Sequence, residues 1–156
     1  MKIKILALGK IKEKFLKEGI DEFVKRLSIY SPIEILELQP VEIKDENLIE
    51  FVLDKEAEKI LSLIKPNSFV VTLDVLGVSF SSEKFAAKID EIIKSGHNEL
   101  VFVIGSSYGL SKLVSQRADL RLSLSSLTFL HQFARLILVE QIYRAFKILK
   151  GETYHK

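Results

Sequence analysis

The side chains most able to do chemistry lie in the last third of this 156-residue chain. The C-terminus reads Gly151-Glu152-Thr153-Tyr154-His155-Lys156. An aromatic ring, an imidazole and an ammonium in succession can stack a base, exchange a proton and meet a phosphate; alternatively, the hexapeptide is an ordinary frayed terminus. Upstream, Leu122–Phe129 reads LSLSSLTF, with hydroxyls at 123, 125, 126 and 128, and runs into His131. Backbone groups there suit a planar heterocycle, with Leu127 and Phe129 on its faces. The same pattern also fits a strand continuing into a Thr-capped helix. Arg135 shares a helical stripe with Leu138, Val139, Ile142, Ala145, Phe146 and Leu149. A guanidinium on such a stripe needs a carboxylate or a bound anion, unless its place in the first turn lets it reach solvent. Two further positions follow apolar runs. Gly105, in IGSSYG, allows close backbone approach to a ligand or makes a plain turn. Asp74, between Leu73 and Gly77, is a polarising carboxylate or a turn aspartate.

Other chemistries are excluded or unsupported. The chain has no cysteine, which removes disulfides, thiolate zinc sites and thiol nucleophiles. No metal-ligand cluster is visible, so no metal site is assigned. The segment IGSSYG is neither G-x-G-x-x-G nor a P-loop. No window approaches the ~20 apolar residues of a membrane span, and MKIKILALGK lacks the features of a signal peptide, so a cytoplasmic protein is expected. Net charge is only +2, but unevenly spread. Residues 1–31 carry eight Lys/Arg against four Asp/Glu, residues 32–66 four against nine, and residues 131–156 five against two. The basic ends suit a phosphate-rich partner, or are simply solvated faces.

Positioning these groups requires an alternating α/β chain. Lys2–Gly9 and Ile33–Gln39 alternate in the manner of strands, while Ser68–Asp74 and Glu99–Ile104 are apolar runs of the buried parallel type. Leu120–Leu124 is a short fifth strand. Helical spacing is expected over Ile11–Tyr30, Glu46–Ile64, from Ser81 or Ser82 to near Gly96, Leu110–Ala118 and His131–Lys150. No repeat or linker divides residues 1–156, so one domain is expected. The architecture is a parallel sheet with helices on both faces. Ligands bind such sheets at the carboxyl ends of strands, which directs attention to Asp74–Gly77, Gly105–Gly109 and Leu124–His131. The last helix is apolar over much of its circumference, which fits a two-fold subunit interface or a central place in the core.

These segments together resemble the ribosomal large-subunit RNA pseudouridine N3-methyltransferases of the SPOUT superfamily. The resemblance spans nearly the whole chain, through KIKILALGKIKEKF, TLDVLGVSFSSEKFA and FVFVIGSSYGL, and is strongest in LSLSSLTFLHQFARLILVEQIYRAFKILKGETYHK. It implies a sheet with a C-terminal trefoil knot, S-adenosylmethionine as cofactor, a homodimer in which one tail approaches the other subunit's cofactor, and ribosomal RNA in the assembled ribosome as substrate. By position it implies cofactor contacts at Leu73, Gly105, Leu124, Ser125, Ser126, Leu127, Thr128 and Phe129. It implies catalytic roles for His155, His131, Arg135 and Tyr154, and RNA contacts for Arg144 and Lys156.

Removing the proton from a target imide needs a base, for which His155 is the first choice, His131 the second and Asp74 the third. Two positions depart from the family pattern. Ser106 stands where a second glycine is usual, and Leu130 where a proline is usual. Ser106 adds a side chain beside the cofactor loop and Leu130 removes a constraint that stiffens it, changes expected to weaken cofactor affinity. They leave open a second reading, a non-catalytic RNA- or ribosome-binding module of the same fold.

Overall fold

A computed structural model describes residues 1–156. Five strands, β1 (Lys2–Leu8), β2 (Ile33–Leu38), β3 (Ser68–Ser79), β4 (Glu99–Ile104) and β5 (Leu120–Ser123), form one sheet in the order β2-β1-β4-β3-β5. Every neighbouring pair is parallel. The helices are α1 (Lys14–Leu27), α2 (Ile49–Ser62), α3 (Ser82–Lys94), α4 (Lys112–Arg117) and α5 (His131–Leu149).

Period-two alternation sorts the strand residues between two cores. Ile3, Ile5 and Ala7 of β1, with Leu100, Phe102 and Ile104 of β4, join apolar residues of α1, α3 and α5 on one face. Leu6, Leu8, Val101 and Val103 meet Ala57 and Ile60 of α2 and Val114 of α4 on the other. A charge cluster of buried Lys4 and Glu99 with exposed Lys65 closes the amino ends of the strands. The Lys4 Nζ lies 3.3 Å from Glu99 Oε2, and Lys65 Nζ lies 3.2 Å from Glu99 Oε1. The polar groups there satisfy one another, far from the carboxyl ends where a ligand would enter.

Two elements depart from the sequence expectation in ways that matter. The first helix begins at Lys14 rather than Ile11, because Glu13 is still extended and Gly9 turns the chain at φ +94°. More consequentially, the expected turn at Asp74–Gly77 is part of a strand that continues to Ser79. The β3–β5 ladder shifts there, so that Leu122 faces both Leu73 and Val78. Glycine at 77 is what permits it: a Cβ would lie 2.5 Å from the Arg121 carbonyl oxygen. Signals read as a turn therefore encode a bulge.

Helix α5 packs between α1 and α3 against the sheet, with Leu138, Val139 and Ile142 fully buried. Packing within one chain thus accounts for much of its apolar circumference. Apolar surface remains at its beginning, where exposed Phe133 meets exposed Phe15 at 6.0 Å between ring centres. No helix is long and apolar enough to cross a membrane.

Candidate functional site

The three segments singled out at the strand ends meet in one cavity of about 780 Å³. Leu73, Asp74 and Val75 come from the bulge of β3, Ile104–Leu110 from the end of β4 and the loop after it, and Leu122, Leu124, Ser125 and Leu127–His131 follow along β5 and into α5. Of the expected cofactor residues, Leu73, Gly105, Leu124, Ser125, Leu127, Thr128 and Phe129 line it; Ser126 does not. Ser115 and Ala134 line it without having been singled out in the sequence.

The loop after β4 is closed tightly. The Gly109 N–H donates to the Ser106 carbonyl at 2.9 Å, and Gly109 sits at φ +90°. A Cβ on Gly105 would lie 2.4 Å from the Gly109 carbonyl oxygen and 2.9 Å from Leu110 Cγ. Glycine is therefore required at 105 by the loop itself, before any ligand is considered. Ser106 turns its hydroxyl inward, where Oγ is buried without a partner.

The loop after β5 is open. Leu127 is 69% and Leu130 70% exposed. The Ser125 hydroxyl accepts the Leu127 N–H at 3.0 Å, and the Ser123 hydroxyl donates to the Ser125 carbonyl at 3.1 Å. The N–H groups of Ser126, Thr128 and Phe129 donate to no protein acceptor. Backbone donors beside apolar side chains are the usual furniture of a site for a planar polar ring. The cavity fits a nucleoside-sized cofactor in volume and in chemistry, with apolar walls beside undonated amides.

Asp74 is fully engaged. Its Oδ1 accepts the Leu76 N–H at 2.8 Å, and its Oδ2 takes Arg121 Nε at 3.0 Å and Nη2 at 2.6 Å. Burial alone would raise this carboxyl, but the Leu76 N–H and Arg121 outweigh it and hold the group below its ordinary value. Its task is to pin the bulge, and an already committed carboxylate makes a poor base.

His131 opens α5 and lines the cavity. Burial, with the positive Arg135 nearby, pushes its imidazole below the ordinary value and favours the neutral ring. Arg135 is 1% exposed and does not escape to solvent. Its Nη1 meets Glu37 Oε1 at 2.7 Å and its Nη2 donates to the Gly9 carbonyl at 2.9 Å, while Nε is left unpaired. The anion its stripe position demanded is thus a carboxylate of β2. Arg135 does not line the cavity; it ties α5 to the ends of β1 and β2.

The tail residues also lie away from their own chain's cavity. Arg144 is thirteen residues beyond His131 in α5, about 20 Å along the axis. Around it the tail folds back. The Tyr154 hydroxyl donates to Glu140 Oε1 at 2.9 Å, and the Arg144 guanidinium lies over the Tyr154 ring at 4.7 Å and bonds Glu140 at 2.5 Å. Burial and Glu140 both raise the Tyr154 phenol, so it stays protonated. His155 Nε2 lies 2.7 Å from Glu83 Oε1, and His155 Nδ1 lies 3.4 Å from Arg144 Nη1. The Glu83 carboxyl is held down to about 2 by its own backbone N–H, the Ser81 hydroxyl and His155. An ionised carboxylate only accepts, so Nε2 carries a proton towards Glu83, and in the neutral ring the lone pair is on Nδ1. Lys156 is exposed and makes no ion pair.

Sequence reasoning missed the carboxylates that hold these groups, Glu37, Glu83 and Glu140. It also missed Glu56, which is 2% exposed on the inner face of α2. Its Oε1 accepts the Val41 N–H at 3.0 Å, and burial raises the carboxyl above its ordinary value. The signal was available: Glu56 shares a face with Val52 and Ile60, the pattern that made Arg135 conspicuous.

Comparison with known proteins agrees with this geometry. The family model described as "Predicted SPOUT methyltransferase" matches residues 1–155. Over alignments of 160 residues covering all of both chains, the sequence is 52% identical to the "Ribosomal RNA large subunit methyltransferase H" of Carboxydothermus hydrogenoformans and 52% identical to that of Clostridioides difficile.

Proposed function

The chain belongs to the SPOUT methyltransferase family and is a ribosomal RNA methyltransferase, and from that premise we propose that it methylates N3 of a pseudouridine in large-subunit ribosomal RNA. The donor in this reading is S-adenosylmethionine, the substrate is the assembled ribosome, and the working form is a homodimer of single-domain chains. The observation that carries it is the cavity at the strand ends, which Thr128 and Phe129, with undonated amides, line together with the glycine loop of β4.

S-adenosylmethionine supplies an electrophilic methyl group on a sulfonium. Leu73, Leu124, Leu127 and Phe129 give its ring apolar walls, and the loop amides take its polar edge. Positioning supplies most of the acceleration for such an in-line transfer. Arg135 acts as a positioning residue here, because its partners are Glu37 and the Gly9 carbonyl. Its anchor fixes the start of α5 and with it His131.

The tail contributes from the second copy. Arg144, Tyr154 and His155 form one bonded cluster about 20 Å along α5 from the cavity of their own chain, so a neighbour's cavity is the one they serve. The exposed apolar rim around the cavity, Leu76, Val75, Leu127 and Leu130, gives that neighbour a surface to cover. In the dimer, His155 Nδ1 accepts the imide proton, Tyr154 stacks, and Arg144 and Lys156 meet phosphate. A trefoil knot in the last third of the chain is part of the same reading, supported by membership of the SPOUT family.

The test is to incubate the protein and labelled cofactor with ribosomes from a strain lacking the corresponding gene, then to digest the RNA and analyse it by mass spectrometry. A methyl group on one pseudouridine of the large-subunit RNA is the expected result. No calorimetric binding of S-adenosylmethionine, together with no transfer to any ribosome, would leave only a non-catalytic module.

A further inference from the structure

Helical spacing places Glu56 on the same face of α2 as Val52 and Ile60, and it is buried with them. One of its oxygens is accounted for by the Val41 N–H; the other, Oε2, is buried without a partner. Across from it, Ser106 Oγ is buried and unpartnered too. Two such orphans around one chamber cost free energy unless something pairs with them. Both residues line the same chamber, of about 250 Å³, with apolar walls from Leu8, Val41 and Ile43. The chamber is not the main cavity, but shares Ser106, Ser107, Tyr108 and His131 with it.

A buried carboxylate oxygen asks for an N–H donor, and a hydroxyl offers either role. Apolar walls with a few polar groups suit a flat ring, and the exposed Tyr108 ring stands at the shared rim. Enzymes acting on a base take it out of the stack into a pocket of this kind. Pseudouridine is joined to its ribose through carbon, so it keeps an N1–H that uridine lacks, one carbon removed from N3.

We propose that the chamber behind the β4 loop receives the target base, with Glu56 Oε2 accepting the N1–H and Ser106 Oγ bonding the ring's polar edge, so that Glu56 selects pseudouridine over uridine. This rests on the reading of the substrate given above. The base then enters from the main cavity side, and its N3 is left facing the shared wall. A site built around an acceptor for one N–H discriminates strongly against the analogue without it, because the acceptor is then stranded.

The assay measures kcat/KM for methyl transfer to two ribosome preparations, one carrying pseudouridine at the target and one carrying uridine there because its pseudouridine synthase has been deleted. For the unaltered protein, pseudouridine is preferred by about 100-fold or more. In Glu56→Gln the ratio of the two rates falls at least about tenfold, while calorimetric affinity for S-adenosylmethionine is retained. Ser106→Ala is the second variant, keeps the Glu56 contact to Val41, and lowers transfer to pseudouridine. An unchanged ratio in Glu56→Gln overturns the proposal. So does a loss of cofactor affinity with the ratio intact, which would assign the chamber to the cofactor. If Glu56→Gln does not fold, Ser106→Ala decides: normal transfer to pseudouridine overturns the proposal. No transfer to either ribosome by the unaltered protein would instead sink the substrate reading itself.

Discussion

Replacing Gly105 by alanine separates the needs of the loop from those of its ligand. The new Cβ would lie 2.4 Å from the Gly109 carbonyl oxygen and 2.7 Å from its carbon, where ordinary contact begins at 3.4 Å. The shortfall is about 1 Å, and it falls on backbone rather than on a flexible side-chain tip, so the loop must move. Overpacking of that kind costs about 1–3 kcal/mol. For a chain of this length that is a fall in melting temperature of roughly 3–9 °C. The displaced segment carries Ser106–Gly109, part of the cavity wall. Misplacing binding groups by about 1 Å costs up to about 100-fold, so cofactor affinity by calorimetry should fall between about 10- and 100-fold. Gly96→Ala is the control. Gly96 is at φ +84° with open space around it, so alanine there strains the backbone away from the cavity, lowering stability without lowering affinity. A Gly105→Ala protein that binds S-adenosylmethionine as the parent does would refute the reasoning.

Removing the guanidinium of Arg135 leaves the Gly9 carbonyl unpaired and Glu37 alone. Because the Glu37 side chain is 36% exposed and can resolvate, Arg135→Ala should destabilise by about 2–4 kcal/mol in urea unfolding, with Glu37→Gln costing less. His131 gives a pH signature. Its folded imidazole titrates below the unfolded one, so between those two values the unfolded chain binds more protons and stability rises with pH. The melting temperature should therefore drop as pH falls from about 7 through the imidazole range, and drop less in His131→Gln; equal slopes would remove His131 as the cause. Finally, His155→Ala should lower turnover on ribosomes while sparing cofactor affinity, and unchanged turnover would exclude it as the base.

Much of the sheet was legible because buried parallel strands announce themselves as apolar runs. SFVVTLD and ELVFVI needed no partner to be recognised. The cavity was legible for a related reason: parallel order puts three loops at one end, and the loops could be named before their meeting was seen. What failed was local. Asp74 and Gly77 carry turn signals, yet the close passage of β5 makes them a bulge, and nothing in the residues 74–77 themselves reports a neighbour 44 positions away. The partners of the functional groups were hidden in the same way. Glu37 and Arg135 are separated by 98 positions, and His155 and Glu83 by 72, so periodicity within one element says nothing about either pair. Buried Glu56 is different, since its place on an apolar helical face could have been read directly.

The bulge of β3 also bears on how such a cavity could change over time. Residues 74–77 fall outside the paired ladder, since Leu122 already faces both Leu73 and Val78. Asp74 and Val75 form part of the cavity wall, and none of the four contributes to the two buried cores. Lengthening or shortening this excursion by a residue would reshape the ligand chamber and leave the strand pairing on either side where it is. Tolerance for altered donors is thus concentrated in four positions, fastened at one end by an ion pair and at the other by a glycine.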